Sequence, residues 1–278
     1  MNLAISRRKE RSKPSVWILR VPSILFLILV VIIPVVVIFQ DGLREGFYTF
    51  FYQINLPIAR HAIILTLWTS ALMTVINAVM GLITAYVFVR FDFPGKRLLN
   101  AIVDLPMAIP SLVTGIMLVI LYGPQQSLGL FLMERFGLRI VFASPGIILA
   151  LVFITLPFVV RTIQPVLEDL DQSQERAAAT LGASPWRIFR KVVFPALILP
   201  TLSGSLMSFS RAVGEFSAIV IVAGNIPLRT QTAAVYVFSQ VEAENRLGAS
   251  AVSIVLILVS FSVLFIANTL HKRWGAHR

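Results

Sequence analysis

Apolar residues along this chain fall into long unbroken runs, not into the every-third-position stripes or strict alternation of a water-soluble domain. A helix of about 20 such residues crosses a hydrocarbon core about 30 Å thick. Six runs approach or exceed that length, at 17–39, 62–89, 99–122, 145–160, 196–223 and 249–270, the fourth extending toward Pro165. More polar connections separate them at 40–61, 90–98, 123–144, 161–195 and 224–248. The pattern predicts an all-α polytopic membrane protein with six transmembrane helices. Residues 17–270 form the membrane domain, between a basic N-terminal segment at 1–16 and a short tail at 271–278. The first run is too long for a signal-peptide core and no A-x-A-like site follows it, so it reads as a retained span.

Composition agrees with the pattern: 57% of residues are hydrophobic, 13% are charged, and mean hydropathy is +0.86. With no cysteine there is no disulfide framework, thiolate metal site or cysteine nucleophile. The three histidines, His61, His271 and His277, lack a metal-ligand spacing. No phosphate-binding G-x4-G-K-[ST] run occurs, so no cofactor is expected and any nucleotide hydrolysis belongs to another polypeptide.

The net charge of +11 changes the picture only through its distribution. One set of connections and both termini carry Arg7, Arg8, Lys9, Arg11, Lys13, Arg90, Lys96, Arg97, Arg161, Arg176, Arg187, Arg190, Lys191, Lys272, Arg273 and Arg278. The other set carries Arg44, Arg60, Arg135, Arg139, Arg229 and Arg246. A positive-inside bias accounts for this asymmetry without nucleic acid, and it places both termini in the cytoplasm.

Ionisable residues inside a span are costly and point to function. In the fifth run Pro200, Gly204, Ser208, Arg211 and Glu215 follow steps of three or four and share one helix face. Arg211 and Glu215 can neutralise each other, or Arg211 can meet a passing anion. The third run contains "DLPMAIPSLVTG", where Pro106 and Pro110 interrupt the ladder, Ser111 can cap a restarted helix and Thr114 lies close by. Such a break is either a binding site, as in broken transporter helices, or a packing kink. Asp104 is expected at the cytoplasmic mouth, as a cap or as a partner for an Arg or Lys. Secondary carriers coupled to ions bury relays of carboxylates or histidines, and only Glu215 and Asp104 qualify here.

The longest connection on the basic side holds "QERAAATLGASPWRIFRKVVFP", residues 174–195. Asp171 with Gln174 suits a capping box, Gly182 suits a left-handed stop, and Ser184-Pro185 suits the start of a second helix. The small face of Ala177, Ala178 and Leu181 permits close approach. Arg187, Arg190 and Lys191 suit either an anionic partner or the headgroups.

The spacing of Ala177, Ala178, Gly182, Val192, Phe194 and Pro195 resembles the loop of bacterial ABC importer permeases that reads E-A-A-x3-G-x9-I-x-L-P. In that family the loop is a coupling helix seated in a cleft of the ATPase subunit. The resemblance assigns ATPase coupling to Arg176, Ala177, Ala178, Gly182 and Pro195 within a loop at 166–195. Arg176 replaces the usual Glu, with Glu175 beside it. "LPFVVRTIQPVLEDL", "GEFSAIVIVAGNIPLRTQ" and "LGASAVSIVLILVSF" are similar to sulfate/thiosulfate ABC permeases of the T type, over roughly residues 60–270. Molybdate permeases share "GEF" and "AGNIP", so a molybdate or tungstate importer is the alternative. The resemblance implies the type I importer permease fold. It also implies a W-type second permease as heterodimer partner, two copies of a cytoplasmic ATP-binding subunit, an extracytoplasmic sulfate-binding protein, and a multi-pass place in the bacterial inner membrane. Ser111, Thr114, Ser208, Arg211 and Glu215 are then candidates for the substrate pathway, and "AGNIPLRTQ" is either a contact for the binding protein or a turn closing the fifth span.

Overall fold

The computed structural model describes residues 14–275. The expected basic segment at 1–16 lies outside the described residues as far as residue 13, as do residues 276–278 of the expected tail. Among the described residues there are fourteen α-helices, two π turns and no strands. Five helical stretches are long and apolar enough to cross a membrane: Leu19–Leu43, Pro57–Arg90, Ser144–Glu168, Pro185–Val213 and Arg246–Thr269. A sixth crossing results if the pair Lys96–Ala108 and Ser111–Tyr122 counts as one span, and that pair is bent by 112°.

The first crossing joins α1 (Pro14–Leu27), a π turn (Ile28–Ile32) and α2 (Ile33–Leu43). The fifth has the same construction: α10 (Pro185–Ile188), a π turn (Phe189–Val193) and α11 (Phe194–Val213). Both π turns stop two residues before a proline, Pro34 or Pro195. Proline lacks an N–H and its ring collides with the carbonyl four residues earlier, so a locally wider turn lets the helix continue. The consequence corrects the expected boundary, because the second helix of the basic connection runs unbroken into the fifth crossing.

Other boundaries also move. The connection at 40–61 contains α3 (Gly46–Asn55) and the start of α4 (Pro57–Arg90). The third run is two helices, α5 (Lys96–Ala108) and α6 (Ser111–Tyr122), because Pro110 forces Ile109 into extended backbone at φ −86°, ψ 132°. The connection at 123–144 folds as α7 (Ser127–Phe136), and the fourth crossing is the full α8 (Ser144–Glu168), passing through Pro157 and Pro165. After α11 the chain breaks at Gly214 and restarts as α12 (Ser217–Val222), so the expected fifth run at 196–223 is also interrupted. The basic connection contributes α9 (Gln172–Thr180), and α13 (Ala233–Glu242) precedes the last crossing, α14 (Arg246–Gly275).

The centre of the molecule is the junction of α4, α8 and α11. In lipid there is no hydrophobic gain from bringing apolar helices together, so small residues and interhelical hydrogen bonds hold them. A Cβ on Gly81 would lie 2.9 Å from Val159 Cβ, and one on Gly204 would lie 3.0 Å from Val159 Cα. Asn77 donates to Thr155 Oγ1 at 2.9 Å and to the Val152 carbonyl at 3.2 Å. These contacts make α4 and α8 parallel and α11 antiparallel to both. Arg90, Glu168 and α9 therefore share one end of the bundle, and Pro57, Ser144 and Gly214 share the other.

At that second end α3 joins two crossings and carries no charge. Phe47, Tyr48, Phe51 and Tyr52 lie on one face and are all more than half exposed. The 25 residues before α3 span about 37 Å as helix, which sets α3 at the far edge of the hydrocarbon. Aromatic side chains favour that layer. Spin labels on single cysteines at Tyr48 and Phe51, in a chain with no native cysteine, should collide more with oxygen than with an aqueous nickel chelate. Power saturation in bilayers checks this, and the reverse ranking would place α3 in water.

Candidate functional site

Two helix breaks meet at one place. At the first, Pro110 begins the new helix with φ −56° and ψ 135°, and its carbonyl accepts the N–H groups of Val113 and Thr114. Ser111 does not cap α6, contrary to expectation; its hydroxyl accepts from Arg211 Nη2 at 3.3 Å. At the second break, Glu215 Oε1 accepts the N–H of Ala218 at 3.1 Å and so satisfies the start of α12. The other Glu215 oxygen pairs with Arg211 Nη1 at 2.7 Å. The Arg211–Glu215 pairing anticipated from their spacing is therefore present. Gly115 packs α6 against α12 so closely that a Cβ there would lie 2.8 Å from the Ala218 carbonyl oxygen.

The pair is asymmetric. The Glu215 side chain is 3% exposed and fully engaged, whereas that of Arg211 is 38% exposed. No other acceptor among the described residues takes a hydrogen bond from this guanidinium. A half-exposed cation inside a crossing needs water, an anion or another polypeptide beside it. The remaining candidates sit deeper. Ser208 is fully buried, 3.4 Å from the Thr155 carbonyl and 3.5 Å from Met73 Sδ, and Thr114 is buried with no partner for its hydroxyl. Pro200 and Gly204 are also buried, the latter against α8. Ser111, Arg211 and Glu215 thus form one cluster, while the rest of the polar face packs on a neighbouring helix.

At the opposite end, α9 starts at Asp171, whose carboxylate accepts from Ser173 N at 2.8 Å and Ser173 Oγ at 2.6 Å. Ser173, not Gln174, completes this cap. The Ser173 hydroxyl and then its N–H hold the Asp171 carboxyl below its usual range. This cap is accordingly intact above the usual range and is lost as pH falls through the lowered value. Gly182, at φ +80°, ends α9 as a Schellman turn: Ala183 N donates to Ala178 O and Gly182 N to Ala179 O. Ser184 makes no side-chain cap. Leu181 and Trp186 project from the turn, 88% and 68% exposed, although both are large and apolar. Behind them Trp186 stacks on Phe189, which meets Tyr86 of α4 edge-on.

Among known proteins, the model for the binding-protein-dependent transport system inner membrane component matches residues 77–275. The chain belongs to that family. It is 41% identical over 246 residues to a probable sulfate transport system permease protein cysT of Zygnema circumcarinatum, covering 88% of this chain and 85% of that one. It is 39% identical over 274 residues to the sulfate transport system permease protein CysT of a Synechocystis strain, covering 97% and 95%. A bacterial alginate ABC transporter, solved with an alginate pentasaccharide-bound periplasmic protein, shares the fold at a TM-score of 0.77 and 16% identity over 93% of this chain and 94% of that one.

This permease also contains ion pairs that the sequence did not single out. Arg90, at the end of α4, reaches Glu175 of α9 at 2.6 Å, and the two side chains are 8% and 18% exposed. Glu175 therefore holds α9 to the membrane bundle, while Arg176 faces outward and donates to Gln172. The sole hint in the sequence is an acid one position before the Arg-Ala-Ala triplet. Asp104 finds the Arg partner expected for it, Arg161.

Removing one partner of a buried pair costs on the order of 3 kcal/mol. Glu175→Arg alone should therefore uncouple transport, and adding Arg90→Glu should restore part of it; uptake measured in vesicles checks the pair. Gly182→Val forces a β-branched residue into a left-handed conformation, at a cost of roughly 1–2 kcal/mol. It should abolish driven uptake at unchanged membrane insertion, since a Cβ there meets nothing within 4 Å.

Proposed function

We propose that this chain is the membrane-spanning permease subunit of an ATP-driven importer of sulfate and thiosulfate. The observation that carries this reading is the 39% identity to a sulfate transport permease across 97% of the chain. The Lys/Arg asymmetry supports an orientation with the α9–α10 end, and both termini, in the cytoplasm, and the membrane in this reading is a bacterial inner one. There Leu181, Trp186 and the Ala177–Ala178 face meet an ATP-binding subunit. Two copies of that subunit drive a pair of permeases, this chain and a W-type relative. An extracytoplasmic sulfate-binding protein delivers the anion at the α3–α7 end. The stretch around "AGNIPLRTQ" supports that delivery by structure more than by contact: Asn225 accepts from Gln231 and donates to Ser239, and Thr230 to Thr232 are buried.

The Ser111–Arg211–Glu215 cluster suits a dianion in transit. At an effective dielectric near 20, a lone cation about 4 Å from a dianion contributes roughly 8 kcal/mol, an affinity on the order of micromolar. Glu215 offsets part of this attraction, and the Ser111 hydroxyl keeps the guanidinium beside the broken start of α6. The cluster thus offers the anion a cation, a hydroxyl and the start of α6 without a deep well.

Reconstituted with its partners, the complex should take up labelled sulfate only with ATP, with thiosulfate competing better than molybdate. Uptake that is indifferent to the ATP-binding subunit, or dominated by molybdate competition, would overturn the reading. Arg211→Ala should reduce uptake by roughly tenfold or more, the worth of one charged hydrogen bond, and Arg211→Lys should cost less. Equal damage from both, repaired by also changing Glu215→Gln, would show that Arg211 serves only its partner.

A further inference from the structure

The most completely satisfied cation in the described structure lies away from the Arg211 cluster. Arg161, near the end of α8, places Nε and Nη2 on the two Asp104 carboxylate oxygens, each at 2.6 Å. Its Nη2 also reaches the Asn100 carbonyl at 2.7 Å, and Nη1 reaches Asn100 Oδ1 at 2.9 Å and Gln164 Oε1. Gln164 Nε2 closes the ring onto Asn100 Oδ1 at 3.1 Å. These contacts use all five donors of the guanidinium fork. Such a residue cannot receive a passing anion without releasing Asp104, so its work is structural in kind.

What it holds is α5. That helix has no buried residue; Leu98, Leu99, Ile102, Leu105 and Met107 are exposed, and Val103 packs partly buried against the apolar cluster around Val159 and Ile163. Lys96, Asn100 and Asp104 lie one turn apart along the face that meets α8. Beside them a cavity of about 340 Å³, lined among others by Arg97, Asn100, Gln164 and Glu168, separates the start of α5 from the end of α8. Without Arg161, the angle of α5 would rest chiefly on the Val103 contact. Its other end is the Ile109–Pro110 elbow, and the first residue beyond the elbow is Ser111, which touches Arg211.

We propose that Arg161 is a positioning residue for transport: by clasping α5 to α8 it sets where the Pro110 elbow presents Ser111 to Arg211. This rests on the reading of the cluster as part of the pathway. Lysine keeps the charge but has three donors that radiate from a point, so it cannot bridge Asp104, Asn100 and Gln164 together.

The test uses the reconstituted complex with its partner subunits. Arg161→Lys should lower sulfate uptake by roughly tenfold, equivalent to one lost charge-assisted hydrogen bond, at unchanged protein yield and unchanged basal ATPase. In that variant, Arg97→Cys and Glu168→Cys flank the same cavity, and the chain has no other cysteine. A short reducible bis-thiol reagent bridging them should recover uptake, and reductant should abolish the recovery. A residue needed only for folding would not respond to the bridge. Wild-type uptake by Arg161→Lys, or a low uptake that the bridge leaves low, would overturn the proposal. If the lysine variant does not accumulate, Asp104→Asn carries the same expectations. Parallel measurements on the unaltered complex separate this outcome from a wrong substrate, because a complex that never takes up sulfate fails before Arg161 is changed.

Discussion

A chain inside hydrocarbon must pair every peptide N–H and carbonyl within itself, and this single requirement governs the molecule. It makes each crossing a helix, and it makes each interruption a place where side chains must stand in for missing backbone bonds. The two interruptions, at Ile109–Pro110 and at Gly214–Phe216, lie side by side. Glu215 satisfies the restart of α12, Arg211 neutralises Glu215, and Ser111 accepts from Arg211. The Arg211 guanidinium, only partly enclosed, is thus bound up with the cost of breaking two helices. Packing follows from the same solvent: where water cannot drive association, Gly81, Gly204 and Gly115 admit neighbouring backbones, and Asn77 and Thr155 tie α4 to α8.

Much of this was legible from the residue pattern alone. Long apolar runs fixed the number of crossings to within the one that is bent, and the i, i+4 spacing of Arg211 and Glu215 foretold their pairing. Gly182 announced the end of α9 because many helices end in a left-handed residue and glycine adopts that conformation without strain. The rest was hidden for identifiable reasons. Whether Pro106 or Pro110 breaks the third crossing depends on tertiary support: Pro106 sits within α5, whereas Pro110 displaces Ile109 into extended backbone. The partners of Arg90 and Arg161 lie 85 and 57 residues away, separations to which local periodicity is blind. α3 escaped notice because an interfacial helix ten residues long is neither apolar enough for a span nor charged enough for a surface helix.

The two arginines that bind across helices divide their labour by saturation. Arg161 has every donor occupied and behaves as a rivet; Arg211 keeps capacity in hand and is partly exposed. The same contrast separates Glu175 from Arg176, adjacent residues of which one is tied inward to Arg90 and the other faces out. Neighbours in sequence, they serve opposite sides of α9.

The π turn before Pro195 carries a rotational consequence. One surplus residue in a helix of 3.6 residues per turn advances everything on its far side by about 100°. Trp186 and the Schellman turn therefore point a quarter-turn or more away from where a regular helix growing back from α11 would aim them. The compass bearing of that exposed foot is written in an imino acid at the root of the leg, and it would swing if that ring were replaced by an ordinary side chain.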